Sequence, residues 1–132
     1  MTAHAELAAS IYAKLSSTGD FNTAVDGRIY YARAEDSPTF PYCVYSFYAD
    51  NYSIDSGNEW EETYIQFSLY DENAESDNID LMESYLIDLL KTTLTFTNYT
   101  QIRLQRGSKR FHQTEDDKWN TIIEYRIEIE HN

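Results

Sequence analysis

The sequence predicts an α+β fold, a mainly antiparallel sheet of four or five strands with two helices packed on one face. Segments with apolar residues at helical spacing are interspersed with segments rich in β-branched and aromatic residues. Their order is helix, short strand, two strands, helix, two strands, which favours antiparallel neighbours with the helices laid against the sheet. The chain has 132 residues, the size of one domain, and we expect a single domain over residues 1–132.

The first third of the chain contains a predicted helix and a short predicted strand. Leu7, Ile11 and Leu15 recur at four-residue spacing and indicate an amphipathic helix over residues 3–17, which Gly19 ends. A short connection, GDFNTAVDG, leads to GRIYYARA, whose Ile29 and Tyr30 suit a brief strand or an extended segment. The stretch DSPTFP then breaks the pattern, because its two prolines impose extended or turn geometry.

A long hairpin is predicted next. Residues 42–53 are dense in β-branched and aromatic side chains, which favour strands. The polar tract DSGNE carries Gly57, and the following WEETYIQFSLYDE alternates apolar with polar residues. A hairpin that joins the two strands is the simplest topology.

A second helix and two further strands complete the predicted fold. In ENAESDNIDLMESYLIDLLK, Ser76 or Asp77 is placed to cap a helix, acidic residues crowd its first turn and Lys91 lies in its last turn. Its buried stripe is expected to be Ile79, Met82, Leu86 and Leu89. The strands are TQIRLQRGSKRFHQ and KWNTIIEYRIEIEH, separated by EDD. In the second, apolar residues alternate with charged ones, which is typical of a half-buried antiparallel strand.

Charge is the most unusual property of the composition. Asp and Glu total 23 against 10 Lys and Arg, a formal net charge of −13. General nucleic-acid binders and proteins that bind anionic membranes need a positive surface, so both classes are disfavoured. No apolar run approaches the ~20 residues of a membrane span. The N-terminal MTAHAELAAS lacks the basic and apolar parts of a signal peptide, so we expect a soluble intracellular protein without membrane contact.

Residue types common in active sites are present without the spacing that catalysis needs. The single cysteine, Cys43, cannot form an internal disulfide, and its apolar neighbours predict a buried side chain. His4, His112 and His131 stand apart, without the spacing of a zinc site. Four glycines in the whole chain make a phosphate-binding loop or a serine nucleophile elbow improbable. We therefore predict no catalytic residue, no cofactor and no metal.

One group of carboxylates resembles a calcium-binding loop. Its members lie near the first, third, fifth and seventh ligand positions: Asp71, Asn73, Glu75 and Asp77. Such a loop needs glycine at the sixth position and glutamate at the twelfth, where this chain has Ser76 and Met82. An acidic first turn on a helix is the simpler interpretation.

A second group of carboxylates raises the hypothesis of a two-metal nuclease. Glu124, Glu128 and Glu130 share one face of a predicted strand, and Asp116 and Asp117 come just before it. A nuclease of that kind needs convergent carboxylates. A solvated strand face produces the same spacing, and no lysine accompanies the glutamates at the spacing usual in nucleases, so the structural interpretation is favoured.

Four of the ten basic residues fall within eight positions, in RLQRGSKR: Arg103, Arg106, Lys109 and Arg110. Gly107 and Ser108 indicate a turn or bulge, so we expect Arg106 and Lys109 to project from a loop tip. A solubilising hairpin end is one interpretation of this run, and a contact site is the other.

The acidic EWEE stretch of an identical neighbour would be the simplest counterpart of such a contact site, through Glu59, Glu61 and Glu62. Head-to-tail complementarity of this kind builds rings. DNA phosphate is a third candidate partner, disfavoured by the negative charge of the rest of the chain.

Tyrosine is the other residue in excess, with 12 in the chain. Five are expected on outward strand faces: Tyr42, Tyr48, Tyr52, Tyr64 and Tyr70. Tyrosine is enriched at protein interfaces. Tyrosines that cover the edge of the core with their hydroxyls in water are the alternative.

The order of these motifs resembles a known protein family. The first helix is followed by V-D-G-R-I-Y at residues 25–30 and, after a proline-containing stretch, by F-P-Y-C-V-Y at residues 40–45, where the family has a Leu-Pro-Tyr-Val-Val-Tyr-like strand. A second strand, the NIDLMESYLIDLL helix and a closing strand of alternating apolar residues extend the match over nearly the whole chain. The chain thus resembles the small tail-completion, or tail-terminator, proteins of long-tailed bacteriophages and prophages.

The resemblance implies a non-enzymatic α+β protein of the virion, at the head-proximal end of the tail. Proteins of this family assemble as a ring, commonly a hexamer, which stops growth of the tail tube and helps to join the tail to the capsid connector. The implied partners are other copies of the chain, tail-tube proteins and head-connector proteins, with DNA only passing through the lumen. An acidic ring fits that role because its wall would repel phosphates. The acidic, tyrosine-rich hairpin at residues 49–62 and the EDD insertion depart from the family pattern.

Two other classes of function stay open at the level of sequence. The net charge of −13 on a small domain would suit an acidic DNA mimic that binds and inhibits a DNA-processing enzyme. Such a mimic should present regularly spaced carboxylates on one continuous face and remain monomeric or dimeric. The third class is the metal-dependent nuclease described above.

Overall fold

The fold is α+β, as predicted, with three helices and a five-stranded mixed sheet. A computed structural model describes residues 3–73, 75–114 and 118–132, and for His112 its backbone only. The helices are α1 (Ala3–Leu15), α2 (Asp20–Ala24) and α3 (Asp77–Leu89). The strands are β1 (Ile29–Tyr31), β2 (Tyr42–Asp55), β3 (Asn58–Asp71), β4 (Tyr99–Gln113) and β5 (Trp119–His131).

The sheet has the order β1-β2-β3-β5-β4 and is mainly antiparallel. The exception is β1, which pairs with β2 in parallel through three residues. Because β1 is so short, no strand among the described residues pairs with the outer side of β2 beyond Tyr45. The other edge of the sheet is formed by β4 along its whole length.

The helices pack on one face of the sheet and build the core. Leu7 and Ile11 of α1 are fully buried, as are Ile79, Met82 and Leu86 of α3. Facing them, burial alternates along β5, so that the apolar side chains predicted from the sequence point inward: Ile123, Tyr125, Ile127 and Ile129. The opposite face, called the open face below, carries no helix in the described part of the chain.

The β2–β3 hairpin closes as the sequence predicts. Its two-residue loop places Ser56 at φ 51° and Gly57 at φ 85°, the pair of positive values that a type I′ turn requires. Glycine adopts this conformation without strain. Residues 48–59 are exposed on both faces of the hairpin, so this part projects beyond the body of the domain.

Helix α2 is the element that the sequence pattern did not predict. It occupies Asp20–Ala24, within the segment expected to be a short connection, and Phe21 buries its side chain in the core. Five residues are too few to display a helical period, and this turn depends on tertiary packing. The other helices differ only at their ends: α1 stops at Leu15, and Lys91 lies just beyond α3.

Helix α1 is also fastened to the segment before β4 by a buried carboxylate. Glu6 accepts hydrogen bonds from the backbone N–H groups of Thr97 and Asn98 and from the side chain of Asn98. The hydrogen bond from the Asn98 backbone is the main reason that the pKa of Glu6 is lowered. None of the helices in the described part of the chain has the length and apolar character to cross a membrane.

Candidate interaction surfaces

All four residues of the basic run lie on β4, the edge strand. The strand has irregular register between Gln101 and Arg103 and again between Arg106 and Lys109. The predicted bulge at the Gly-Ser pair is therefore confirmed, whereas the predicted loop tip is wrong: the strand continues through both residues. A Cβ on Gly107 would lie 3.4 Å from the carbonyl oxygen of Glu124, so the strands approach closely at the bulge.

Two of the four cations have acidic partners within the chain. Nζ of Lys109 lies 2.7 Å from Oε1 of Glu83 on α3 and donates a hydrogen bond to Oε2 at 2.9 Å. Arg110 lies 4.0 Å from Glu124 on the open face. Within the described residues, Arg103 and Arg106 form no ion pair, so their guanidinium groups are available to a partner.

The three predicted acidic counterparts lie on β3, with Glu59 next to the turn at the tip of the projecting hairpin and Glu61 and Glu62 towards its base. Glu59 and Glu61 flank the imidazole of His131. Oε2 of Glu59 lies 3.4 Å from Nδ1 of the histidine, and Oε2 of Glu61 lies 3.3 Å from Nε2. Glu62 instead lies on the open face, where Oε2 accepts a hydrogen bond from Arg126 at 3.2 Å.

Glu62 is further held by Tyr64, whose hydroxyl donates to Oε1 at 2.7 Å. This hydrogen bond is the main reason that the pKa of Glu62 is lowered. Glu62 is thus satisfied inside its own chain, whereas Glu59 has nearly half of its side chain exposed. Glu59 is thus the most accessible of the three, because the Glu61 side chain is 13% exposed and that of Glu62 is 27% exposed.

The structure does not bring the predicted basic and acidic residues together within one chain. Strand β5 lies between them: Glu62 is in register with Glu128, which is in register with Arg103. Two strand spacings of about 4.8 Å separate the outer pair. A contact between the two groups would have to join different copies of the chain.

Exposed apolar side chains accompany both charged groups, and of these the sequence predicts an outward position for Tyr52 alone. On β4 these are Ile102 and Phe111; on the hairpin they are Tyr52 and Ile54. Ile102 stands at a bulge, where a strand re-aims its side chain, and no local pattern reveals that position. Tyr52 and Ile54 continue the core-facing side of β2 beyond the reach of the helices.

The five tyrosines expected on outward faces lie mostly on the open face. Tyr42 and Tyr70 stack there with ring centroids 4.6 Å apart, and Tyr48 and Tyr64 meet at 5.7 Å. Tyr52 is different: in register with Glu61, it lies on the helix side of the hairpin, although it is exposed. Tyr42 is buried in its stack with Tyr70, whereas Tyr48 and Tyr52 are about half exposed.

The carboxylates weighed as metal ligands do not converge. In the part of the chain that the structure describes, no three His, Cys, Asp or Glu side chains are grouped to hold a metal ion. Asp71 is buried at the end of β3, whereas Glu75 and Asp77 are exposed at the start of α3. Asp116 and Asp117 lie outside the described residues.

The three glutamates of the nuclease hypothesis are spread along the open face of β5. Glu124 accepts a hydrogen bond from Ser108, and Glu128 lies 3.6 Å from Arg126. Glu124 and Glu128 are thus engaged with neighbouring side chains. Cys43 is fully buried, as predicted, and burial raises the pKa of its thiol.

The histidines are dispersed. His4 on α1 lies 3.8 Å from Asp50, at the base of the projecting hairpin, and His131 lies at the end of β5. His112 lies in β4, in register with Asn120.

Together these features define an α+β fold with a cationic edge strand, an acidic projecting hairpin and a sheet face that carries no helix in the described part of the chain. The same fold is found in a virion protein. The chain is similar to a chain in the solved structure "Virion of native gene transfer agent (GTA) particle", with a TM-score of 0.79 and 15% sequence identity over 96% of this chain and 96% of that chain. No family model and no curated protein matches the sequence. At this level of identity the likeness establishes a shared fold.

Proposed function

We propose that this protein is a non-enzymatic structural component of a phage or prophage virion. It forms a ring at the head-proximal end of the tail, ends the growth of the tail tube and helps to join the tail to the capsid connector. The observation that carries the proposal is the end-to-end similarity in fold to a virion protein, which covers 96% of both chains. The motif order described above, from the first helix to the closing strand, independently points to tail-completion proteins.

The distribution of charge supports assembly into a ring. Strand β4 contains four basic residues and no acidic ones, whereas the hairpin over residues 49–62 contains five acidic residues and no lysine or arginine. These surfaces lie on different parts of the sheet, so one copy can offer its basic edge to the acidic hairpin of the next. Repetition of such a heterologous contact closes into a ring when the rotation per subunit divides a full turn.

The partners in this role are other copies of the chain, most simply six in a ring, together with tail-tube and head-connector proteins. DNA passes through the lumen without being bound. The net charge of −13 favours that passage because an acidic wall repels phosphates. The proposed role uses no cofactor and no membrane contact.

The role of an acidic DNA mimic is less well supported. The same net charge motivates it, but a mimic needs a continuous face of carboxylates. Strand β4 interrupts the acidic surface with Arg103 and Arg106, which have no acidic partner in the described part of the chain. Cations at those positions would repel a protein surface that has evolved to hold DNA phosphates.

Light scattering coupled to size exclusion tests the proposal, over a range of protein and salt concentrations. The expected result is a discrete species of about six times the 15.5 kDa chain mass. Electron microscopy of that fraction should reveal annular particles with a central opening. An open-ended polymer would contradict ring closure. If the protein is a monomer at every concentration and also inhibits DNA-cleaving enzymes, the result would favour the DNA mimic.

A further inference from the structure

We propose that neighbouring copies meet through two specific surfaces, which we call the hairpin surface and the β4 surface. The hairpin surface comprises Tyr52, Ile54, Asp55 and Glu59. The β4 surface comprises Ile102, Arg103, Arg106 and Phe111. The inference rests on the proposed ring and names the contact that builds it.

The hairpin surface has the composition of a contact that is unfilled in the single chain. Tyr52 is 52% exposed and Ile54 is 63% exposed, the largest exposure among the large apolar side chains in the described part of the chain. Both belong to the face of β2 that the helices cover nearer the body of the domain. Glu59 lies in register with Ile54 on the same face, whereas Asp55 lies beside the turn on the opposite face of the tip and forms no ion pair among the described residues. The surface thus combines an apolar centre with acidic neighbours.

The β4 surface has the complementary composition. Ile102 is 45% exposed and Phe111 is 42% exposed, one near each end of the strand. Between them lie Arg103 and Arg106, the two cations without an internal ion pair. Arg106 borders depressions of about 340 Å³ and 290 Å³, one towards the open face and one beside α3, so it stands at the rim of the sheet.

The contact is made by side chains and not by addition of a strand. An unpaired edge invites another strand, but bulges and cationic side chains oppose such pairing. Strand β4 has two bulges and four cations along 15 residues. The same bulges turn side chains outward, and Ile102 stands at one of them. The backbone of this edge is therefore protected from pairing with another strand, whereas its apolar and cationic side chains remain accessible to a neighbouring copy.

A second copy of this chain is the occupant that fits both surfaces at once. Glu59 adjoins the apolar centre of one surface and Asp55 lies at its tip, and arginines lie between the apolar residues of the other. Like-with-like contacts, hairpin to hairpin or β4 to β4, would juxtapose equal charges and are disfavoured. The pairing is thus heterologous, which is the geometry that a ring requires.

Two charge-reversed variants and their mixture test the contact. The R103E/R106E variant should repel the neighbouring hairpin, and the D55R/E59R variant should repel the neighbouring β4 surface. Each alone should need an about tenfold or greater concentration for half assembly. Mixed in equal amounts, the two should assemble again, because each variant surface then faces its opposite on the other variant. An even-membered ring accommodates the alternation.

Matched controls change the net charge equally without touching either surface. K14E/R33E is the control for the first variant, and D36R/E72R is the control for the second. Circular dichroism and thermal unfolding confirm that each chain is folded. Controls that assemble like the wild type, together with restored assembly of the mixture, support the contact. If either surface variant assembles as the wild type does, the proposed contact is wrong, although the ring and the virion role stand.

Disulfide trapping separates a failure of the contact from a failure of the ring. An I54C chain is mixed with an I102C chain under oxidising conditions, and I54C is mixed with L81C as the control. Leu81 is equally exposed but lies on α3. Cross-linked dimers that form at least about tenfold faster in the first mixture support the contact even when no stable ring is isolated. Equal rates overturn the contact, whatever the oligomeric state of the wild type.

Discussion

The ion pair between Lys109 and Glu83 should stabilise the single chain, which would explain why this lysine is unsuited to a contact between copies. Nζ of Lys109 lies 2.7 Å from Oε1 and 2.9 Å from Oε2 of the glutamate. The glutamate side chain is 15% exposed and the lysine side chain is 45% exposed. The pair joins helix α3 to the edge strand, and we expect its loss to loosen that edge.

The magnitude follows from the partial burial of the pair. Fully exposed ion pairs contribute ~0.2–1 kcal/mol, whereas removal of one partner of a fully buried pair costs ~3–5 kcal/mol. The K109M variant keeps most of the apolar stem of the side chain. We therefore expect it to lower the free energy of unfolding by about 1–2 kcal/mol. In a domain of this size that corresponds to a fall in Tm of about 3–8 °C.

A double-mutant cycle isolates the interaction from other effects of each substitution. Urea unfolding of the wild type, K109M, E83Q and the double variant should give a coupling energy of about 1 kcal/mol. K14M serves as the control, since Lys14 forms no ion pair within the described residues. A coupling energy below about 0.3 kcal/mol would refute the reasoning. Lys109 would then be as free for a partner as Arg103 and Arg106.

Three further predictions concern the fold. I127A should lower the free energy of unfolding by ~2–5 kcal/mol in urea titrations, because Ile127 is fully buried at the centre of the sheet. Cys43 should react with a thiol reagent only when the protein unfolds, and reaction in native buffer would contradict its burial. The backbone N–H of Asn98 is the main reason that the pKa of Glu6 is lowered below its ordinary value of 4.5. The ionised Glu6 therefore stabilises the fold above pH 4.5, and this stabilisation is lost as the pH falls through the lowered pKa. The E6Q variant should therefore lose less stability than the wild type on acidification in urea titrations; an equal loss would refute the assignment.

Periodic segments were predictable because their side-chain pattern reports directly which face is buried. The strict alternation in β5 and the four-residue repeat in α1 are of this kind, and both match the observed burial. Helix α2 was missed since it is too short to have a period, and the burial of Phe21 is what holds it. The parallel pairing of β1 with β2 likewise depends on a long-range contact, and the sequence of a three-residue strand does not indicate which strand it pairs with.

The candidate site was predictable in composition and not in geometry. The basic run and the acidic hairpin are visible in the sequence, but their internal partners are not. Glu83 lies 26 positions before Lys109, and the pairing arises only because α3 packs beside β4. At Gly107 the sequence left a turn or a bulge open, because a Gly-Ser pair is compatible with both. The structure has the bulge, because β4 stays paired with the long strand β5 on both sides of it. The exposure of Ile54 could not be predicted from a local pattern, because it arises from the helices ending short of the hairpin.

The two charged surfaces should give assembly a non-monotonic dependence on salt. Each copy carries a formal charge of −13, so at low ionic strength copies repel one another over the Debye length of ~30 Å at 0.01 M. At ~0.15 M the Debye length falls to ~8 Å, which screens the overall repulsion but leaves close arginine–carboxylate contacts at the interface largely intact. At ~1 M even these contacts weaken. Light scattering should therefore find the greatest assembly at intermediate salt. If the assembled fraction rises steadily up to ~1 M salt, apolar contacts alone hold the copies together. If it falls steadily, attraction between the two surfaces outweighs the net repulsion at every distance.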